Sequence, residues 1–116
     1  KSVQDEVSKS GVKKGIALIC ALHTTGSIVI CEDEPGLKKD FLSFVKKNFP
    51  KGAGYEHDKI DNNAHSHLIS SFLGCSQTIP IENGKLCLGT WQNVFFFESD
   101  GPRTRKILVD CLHSNP

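Results

Sequence analysis

Residues 15–32 read GIALICALHTTGSIVICE: two apolar runs, 15–22 and 27–32, separated by the polar HTTG of residues 23–26. Each run is strand-length, too short for an ordinary helix, and edged by glycine or polar residues. Both therefore read as buried strands. His23, Thr24 and Thr25 lie between them.

Upstream, SVQDEVSKSG (residues 2–11) predicts a short helix. Ser2 can cap it, Asp5 stands at the capping-box offset, Val3 and Val7 share a face, and Gly11 stops it. Downstream, DEPGLKKDFLSFVKKNFP (33–50) predicts a longer one. Pro35 suits its first turn, Leu37, Phe41, Phe44, Val45 and Phe49 form an apolar stripe, and Pro50 ends it. The glycine-rich, polar residues 51–62 read as a loop, and residues 64–73 as another helix.

The rest of the chain reads as an antiparallel meander. SQTIPI (76–81) and KLCLGTW (85–91) flank Asn83-Gly84, the strongest short hairpin signal, and VFFFE (94–98) and RKILVDCL (105–112) are joined by SDGPR. Trp91, in the second of these strands, is expected to be packed, as large aromatics in strands usually are. Phe95, Phe96 and Phe97 alternate across their strand, so another layer or another subunit must cover the second face.

At 116 residues the chain is one domain, residues 1–116. Its 14 basic and 13 acidic residues are interspersed and leave a net charge of +1. A nucleic-acid partner needs a basic stripe, and a membrane surface a basic amphipathic helix; neither is present. IALICAL and VFFF are far too short to span a bilayer. Cys20, Cys31, Cys75, Cys87 and Cys111 are odd in number and widely spaced, and they read as small core residues of a reducing, cytoplasmic compartment. A start at Lys1 with no methionine in the chain leads us to expect that the numbering begins inside a longer natural sequence.

Four of the five histidines fall in loops or at element ends. On a regular helix, residues two apart point about 200° away from each other, so His65 and His67 do not share a face. Ala64, Leu68 and Phe72 define an apolar face that includes His65 and excludes His67. Asn63 can cap this helix, whose N-terminus would favour an anion such as phosphate. Tyr55 and Asp58 stand near enough to orient His57. Glu32 and Glu98 each end an apolar strand, where a carboxylate is placed for general acid–base work or simply closes the strand.

The ordered motifs HTT with a following Glu, GYEHD, NNAHSHL, LGTWQ and ESDGPR together resemble the YjbQ family, often described as secondary thiamine-phosphate synthases. The resemblance spans nearly the whole chain. It implies an α+β fold with a mixed, largely antiparallel sheet, two or three helices and a homotrimer with its polar motifs near subunit interfaces. The family pattern has an extra strand before the first helix, absent here, and an Asn where this chain has Cys31. Carried over position by position, it implies catalytic roles for His23, Glu32, His57, Asn63 and Glu98, and ligand contacts from Thr24, Thr25, Gln92 and Arg103. His57, His65 and His67 would be ligands to a divalent metal, zinc or magnesium.

The activity implied is a weak thiamine-phosphate synthase reaction, which joins a pyrimidine diphosphate to a thiazole phosphate with loss of pyrophosphate. Three neutral imidazoles with one open position suit a catalytic zinc with Glu32 or Glu98 as base. The same imidazoles in their charged form, with Arg103, suit a phosphate or diphosphate group instead. Two readings follow: an enzyme acting on a small phosphorylated or heterocyclic metabolite, or a trimeric protein that binds such a metabolite or a metal without turnover.

Overall fold

The computed structural model describes residues 2–114. Helix α1 (Val3–Ser10) forms where local hydrogen bonds dictate it. The Ser2 side chain accepts the Asp5 N–H, the Asp5 carboxylate accepts the Ser2 N–H, and Gly11 closes the helix in the left-handed region at φ 74°. Its buried Val7 packs with Val12, Ala17 and Ile81.

Strands β1 (Gly15–Ala21) and β2 (Gly26–Cys31) are the two apolar runs, yet they lie in different sheets. One sheet has the order β4-β3-β1-β6, with β3 (Ser76–Glu82), β4 (Lys85–Leu86) and β6 (Ile107–His113); β2 pairs with β5 (Asn93–Glu98) in the other. Every pairing among the described residues is antiparallel, so no parallel component of a mixed sheet is present. Ile19, Ala21, Ile28 and Ile79 form the core that joins the two sheets.

The expected C-terminal meander is only partly there. Asn83 (φ 51°) and Gly84 (φ 75°) make the β3–β4 hairpin. Strands β5 and β6 do not pair with each other: β5 runs along β2 and β6 along β1, so the SDGPR segment carries the chain from one sheet to the other. Residues 87–91 leave the strand after Leu86 and turn, with the Gly89 N–H held by the Gln92 Oε1 at 2.8 Å. Trp91 is therefore 70% exposed in the single chain and not packed as expected. The cysteines are not core residues either: Cys75 and Cys87 are exposed and the other three half-buried.

Helix α2 (Pro35–Asn48) begins with Pro35 at its first turn, and Glu34 caps it by accepting the Gly36 and Leu37 N–H groups at 2.8 Å each. Its stripe is only partly covered. Val45 is buried and Phe41 meets Phe97 edge to face at 5.2 Å, whereas Phe44 points outward. This helix is the layer that covers the Phe95 and Phe97 face of β5, and Lys38 lies over the Phe95 ring.

Helix α3 (Ala64–Leu73) packs on β2 through a different face from the one its apolar residues suggest. Leu68 and Phe72 are exposed; the inner face is Ala64, Ser66, Ile69 and Ser70. Small residues let the helix approach closely. The two serine hydroxyls donate to the carbonyls of Ser99 (2.8 Å) and Gly26 (2.7 Å). Within the loop before α3, residues Glu56–Lys59 form one 3₁₀ turn.

Candidate functional site

The HTTG segment is a tight turn in which the His23 carbonyl accepts the Gly26 N–H. Thr25 is fully buried there while His23 and Thr24 stay exposed. A side chain at residue 26 would meet the Phe96 ring at 2.9 Å, so the turn needs glycine. The turn delivers Thr25 to the end of β5. Its hydroxyl donates to the Glu98 Oε2 at 2.6 Å, and its oxygen lies 2.9 Å from the His23 Nδ1. Arg105 closes the group, with Nε donating to the Glu98 Oε1 at 2.8 Å and Nη2 to the Thr25 Oγ1 at 3.3 Å.

Glu98 and Arg105 are both well buried, at 8% and 16% side-chain exposure. Burial alone pushes the Glu98 carboxyl up. The donors from Thr25, Arg105 and the Asp100 N–H, with the guanidinium charge, outweigh it and hold the group below the ordinary carboxylate value. Glu98 is thus an anion kept in place by three donors, one of them the Arg105 cation.

His23 and Thr24 line one hollow with His67, Ser70, Ser71 and Cys75, from the β1–β2 turn, α3 and the start of β3. The His57 ring, from the 3₁₀ turn, stands edge-on to His67 at 4.7 Å between centroids. His23 and His67 therefore share this hollow, and His57 stands against His67. His65 is on the other side of α3 from His67, in a 300 Å³ recess with Lys51, Ile69 and Phe97, and its Nε2 faces the Ser66 hydroxyl at 3.4 Å. Burial and then the nearby Lys51 push its imidazole below the ordinary histidine value, against the pull of Asp58 and Asp100. The three expected metal-binding histidines are split two and one. Among the described residues no group of three or more His, Cys, Asp or Glu is arranged to hold a metal ion.

Other expected site residues fall elsewhere. Asn63 is buried but does not cap α3: its amide donates to the Asp100 Oδ2 at 2.9 Å, and Asp58 caps the helix by accepting the Ala64 N–H at 3.0 Å. Asp58 thereby holds the N-terminus of α3 through its Oδ1. Glu32 is exposed and lines a separate 240 Å³ cleft with Lys38, Phe41 and Phe95. Gln92 is exposed and holds its own turn. Arg103 is exposed and donates to the Asp100 carbonyl, while Arg105 occupies the interior position beside Glu98. Arg105 and the two inward serines are the residues that sequence reasoning missed, together with the capping role of Asp58, which it had set beside His57 instead. In the run DGPRTRK nothing local distinguishes the inward arginine from the outward one.

The sequence profile of the UPF0047 protein YjbQ-like family matches residues 1–114. A UPF0047 protein of Archaeoglobus fulgidus is 49% identical over 86% of this chain and 79% of its own length. The UPF0047 protein YugU of Bacillus subtilis is 40% identical over 97% of this chain and 85% of its own. Among solved structures, a YbjQ-like protein of Sulfolobus solfataricus superposes with a TM-score of 0.92 at 43% identity, over 98% of this chain and 86% of that one. A Clostridium acetobutylicum protein of the yjbq/upf0047 family gives 0.90 at 45% identity, over 95% and 84%. With the fold and the ordered motifs in agreement, the chain belongs to the UPF0047 (YjbQ-like) family.

Proposed function

We propose that the hollow lined by His23 and His67, with His57 beside it, is the site of an enzyme that performs acid–base chemistry on a small phosphorylated or heterocyclic metabolite. The observation that carries this reading is the convergence of three histidines from separate elements, one of them tied through Thr25 to the buried Glu98 carboxylate. A carboxylate kept ionised behind an imidazole is a recurring arrangement for moving protons. Charged imidazoles also suit a diphosphate leaving group. The reaction suggested by the resemblance is thiamine-phosphate synthesis, a condensation of a pyrimidine diphosphate with a thiazole phosphate that releases pyrophosphate.

A second reading is favoured by the His57–His67 contact alone: a divalent metal, zinc or magnesium, held by these two imidazoles with further ligands, and metabolite or metal binding without turnover. The exposed Ile60 (87%), Phe72 (77%) and Trp91 (70%) support a homo-oligomer, for which we propose the trimer, in a cytoplasmic setting. No helix among the described residues is long and apolar enough to cross a membrane.

The test is formation of thiamine phosphate from the two phosphorylated precursors by protein freed of metal, compared with His23→Ala and His57→Ala. A lost acid–base group should lower the rate about 100-fold or more while the assembly persists. Activity equal to wild type in both variants removes the enzyme reading. Activity that returns only with added zinc or magnesium favours the metal reading.

A further inference from the structure

Deepening the reading of this hollow, we infer that Arg105 and Thr25 are positioning residues that fix the tautomer of His23, placing its proton on Nδ1 and leaving Nε2 bare as a proton acceptor facing the hollow. The argument is a count of hydrogens around one oxygen. The Thr25 hydroxyl has a single hydrogen, and at 2.6 Å it is committed to the Glu98 carboxylate. Arg105 also points a donor at that oxygen, at 3.3 Å. What the oxygen has left for the His23 Nδ1, 2.9 Å away, is a lone pair. Two lone pairs at that distance repel, whereas an Nδ1–H there makes a hydrogen bond.

The Thr25 backbone N–H approaches the same Nδ1 at 3.2 Å and favours the opposite tautomer. The hydroxyl contact is the shorter, and its polarity is enforced by a full negative charge on Glu98, so it decides. Arg105 supports this polarity: its guanidinium helps to hold Glu98 ionised, and its Nη2–H already occupies one lone pair of the Thr25 oxygen. The chain His23–Thr25–Glu98–Arg105 thus makes His23 a general base rather than a donor. In no step does Arg105 touch the substrate.

The experiment is a long-range ¹H–¹⁵N spectrum of the histidine rings at a pH where His23 is neutral, with His23→Gln used to assign its signals. Wild type and Arg105→Lys should show Nδ1–H. Thr25→Val, which keeps the shape of the side chain and leaves only the backbone N–H at Nδ1, should show Nε2–H, and Arg105→Met should show a larger share of Nε2–H than Arg105→Lys. A wild-type ring protonated on Nε2, or a wild-type tautomer retained in folded Thr25→Val, overturns the inference. If that happens while His23→Ala still abolishes turnover, the site stands and the relay alone falls. Loss of turnover in no histidine variant, with the tautomer as stated, is failure of the functional reading instead.

Discussion

Replacing Arg105 with methionine should destabilise the protein by about 2–3 kcal/mol at pH 7. The side chain donates to the Glu98 Oε1 at 2.8 Å and to the Thr25 Oγ1 at 3.3 Å, and Glu98 is only 8% exposed. Removing one partner of a buried pair typically costs about 3–5 kcal/mol, because a buried charge is left behind. Here the carboxylate keeps the Thr25 hydroxyl and the Asp100 N–H, and it can escape the remaining cost by protonation, so we take a value below that range. For a chain of this length the loss corresponds to a Tm lower by about 10 °C. The pH dependence has a definite sign. In wild type the Glu98 pKa is lowered, so its stabilisation is complete above the ordinary carboxylate value and is lost as pH falls through the folded value. In the variant that stabilisation is absent, so the gap between wild type and variant should close only as pH falls through the folded Glu98 value, below the ordinary carboxylate range. Urea unfolding at pH 7 and at a pH well below the ordinary carboxylate range measures both. A loss below 1 kcal/mol at pH 7, or an equal loss at the two pH values, refutes the reasoning.

Three further outcomes rest on the same fold. A Cβ at residue 15 would sit 1.8 Å from the Leu112 carbonyl oxygen, so Gly15→Ala should force β1 and β6 apart and cost about 3 kcal/mol in chemical denaturation, while a loss near zero would contradict this pairing. His65 has a depressed pKa, so its contribution is intact above the ordinary value of 6.5 and lost as pH falls below it; His65→Gln should flatten the stability profile between about pH 6.5 and 5, and an unchanged slope would count against its burial. Trp91, 70% exposed in the single chain, should show a blue-shifted emission protected from acrylamide once the proposed oligomer covers it, and a red-shifted, freely quenched emission would count against its lying in the subunit contact.

What the sequence disclosed and what it hid divide along a physical line. The capping box of α1, Pro35 at the start of α2, and the Asn83-Gly84 turn depend on neighbours within a few residues, and all were legible. The span of α3 was legible too, but its orientation was not. Hydrophobicity points to Leu68 and Phe72, whereas Ser66 and Ser70 face inward because their hydroxyls meet carbonyls supplied by Gly26 and Ser99. The same limit explains β5 and β6, whose partners lie far away in sequence and whose connecting turn resembles a hairpin. Of the candidate site, His23, Thr25 and Glu98 do come together, and His57 meets His67. Arg103 and Arg105 could not be told apart, since two residues of the same type, two positions apart, differ only in which one the fold turns inward. Asn63 looked like a cap because the residue that does the capping, Asp58, lies in the preceding turn.

The most direct test of the central claim, that His23, His57 and His67 form one ligand site, is a pyrophosphate titration followed on the histidine ring ¹⁵N and ¹H signals of the wild-type protein. The three rings should move together, with one saturation curve, while His65 on the far side of α3 and His113 at the end of β6 stay in place. Separate curves for the three rings, no saturable change in them, or a response confined to His65 would contradict it.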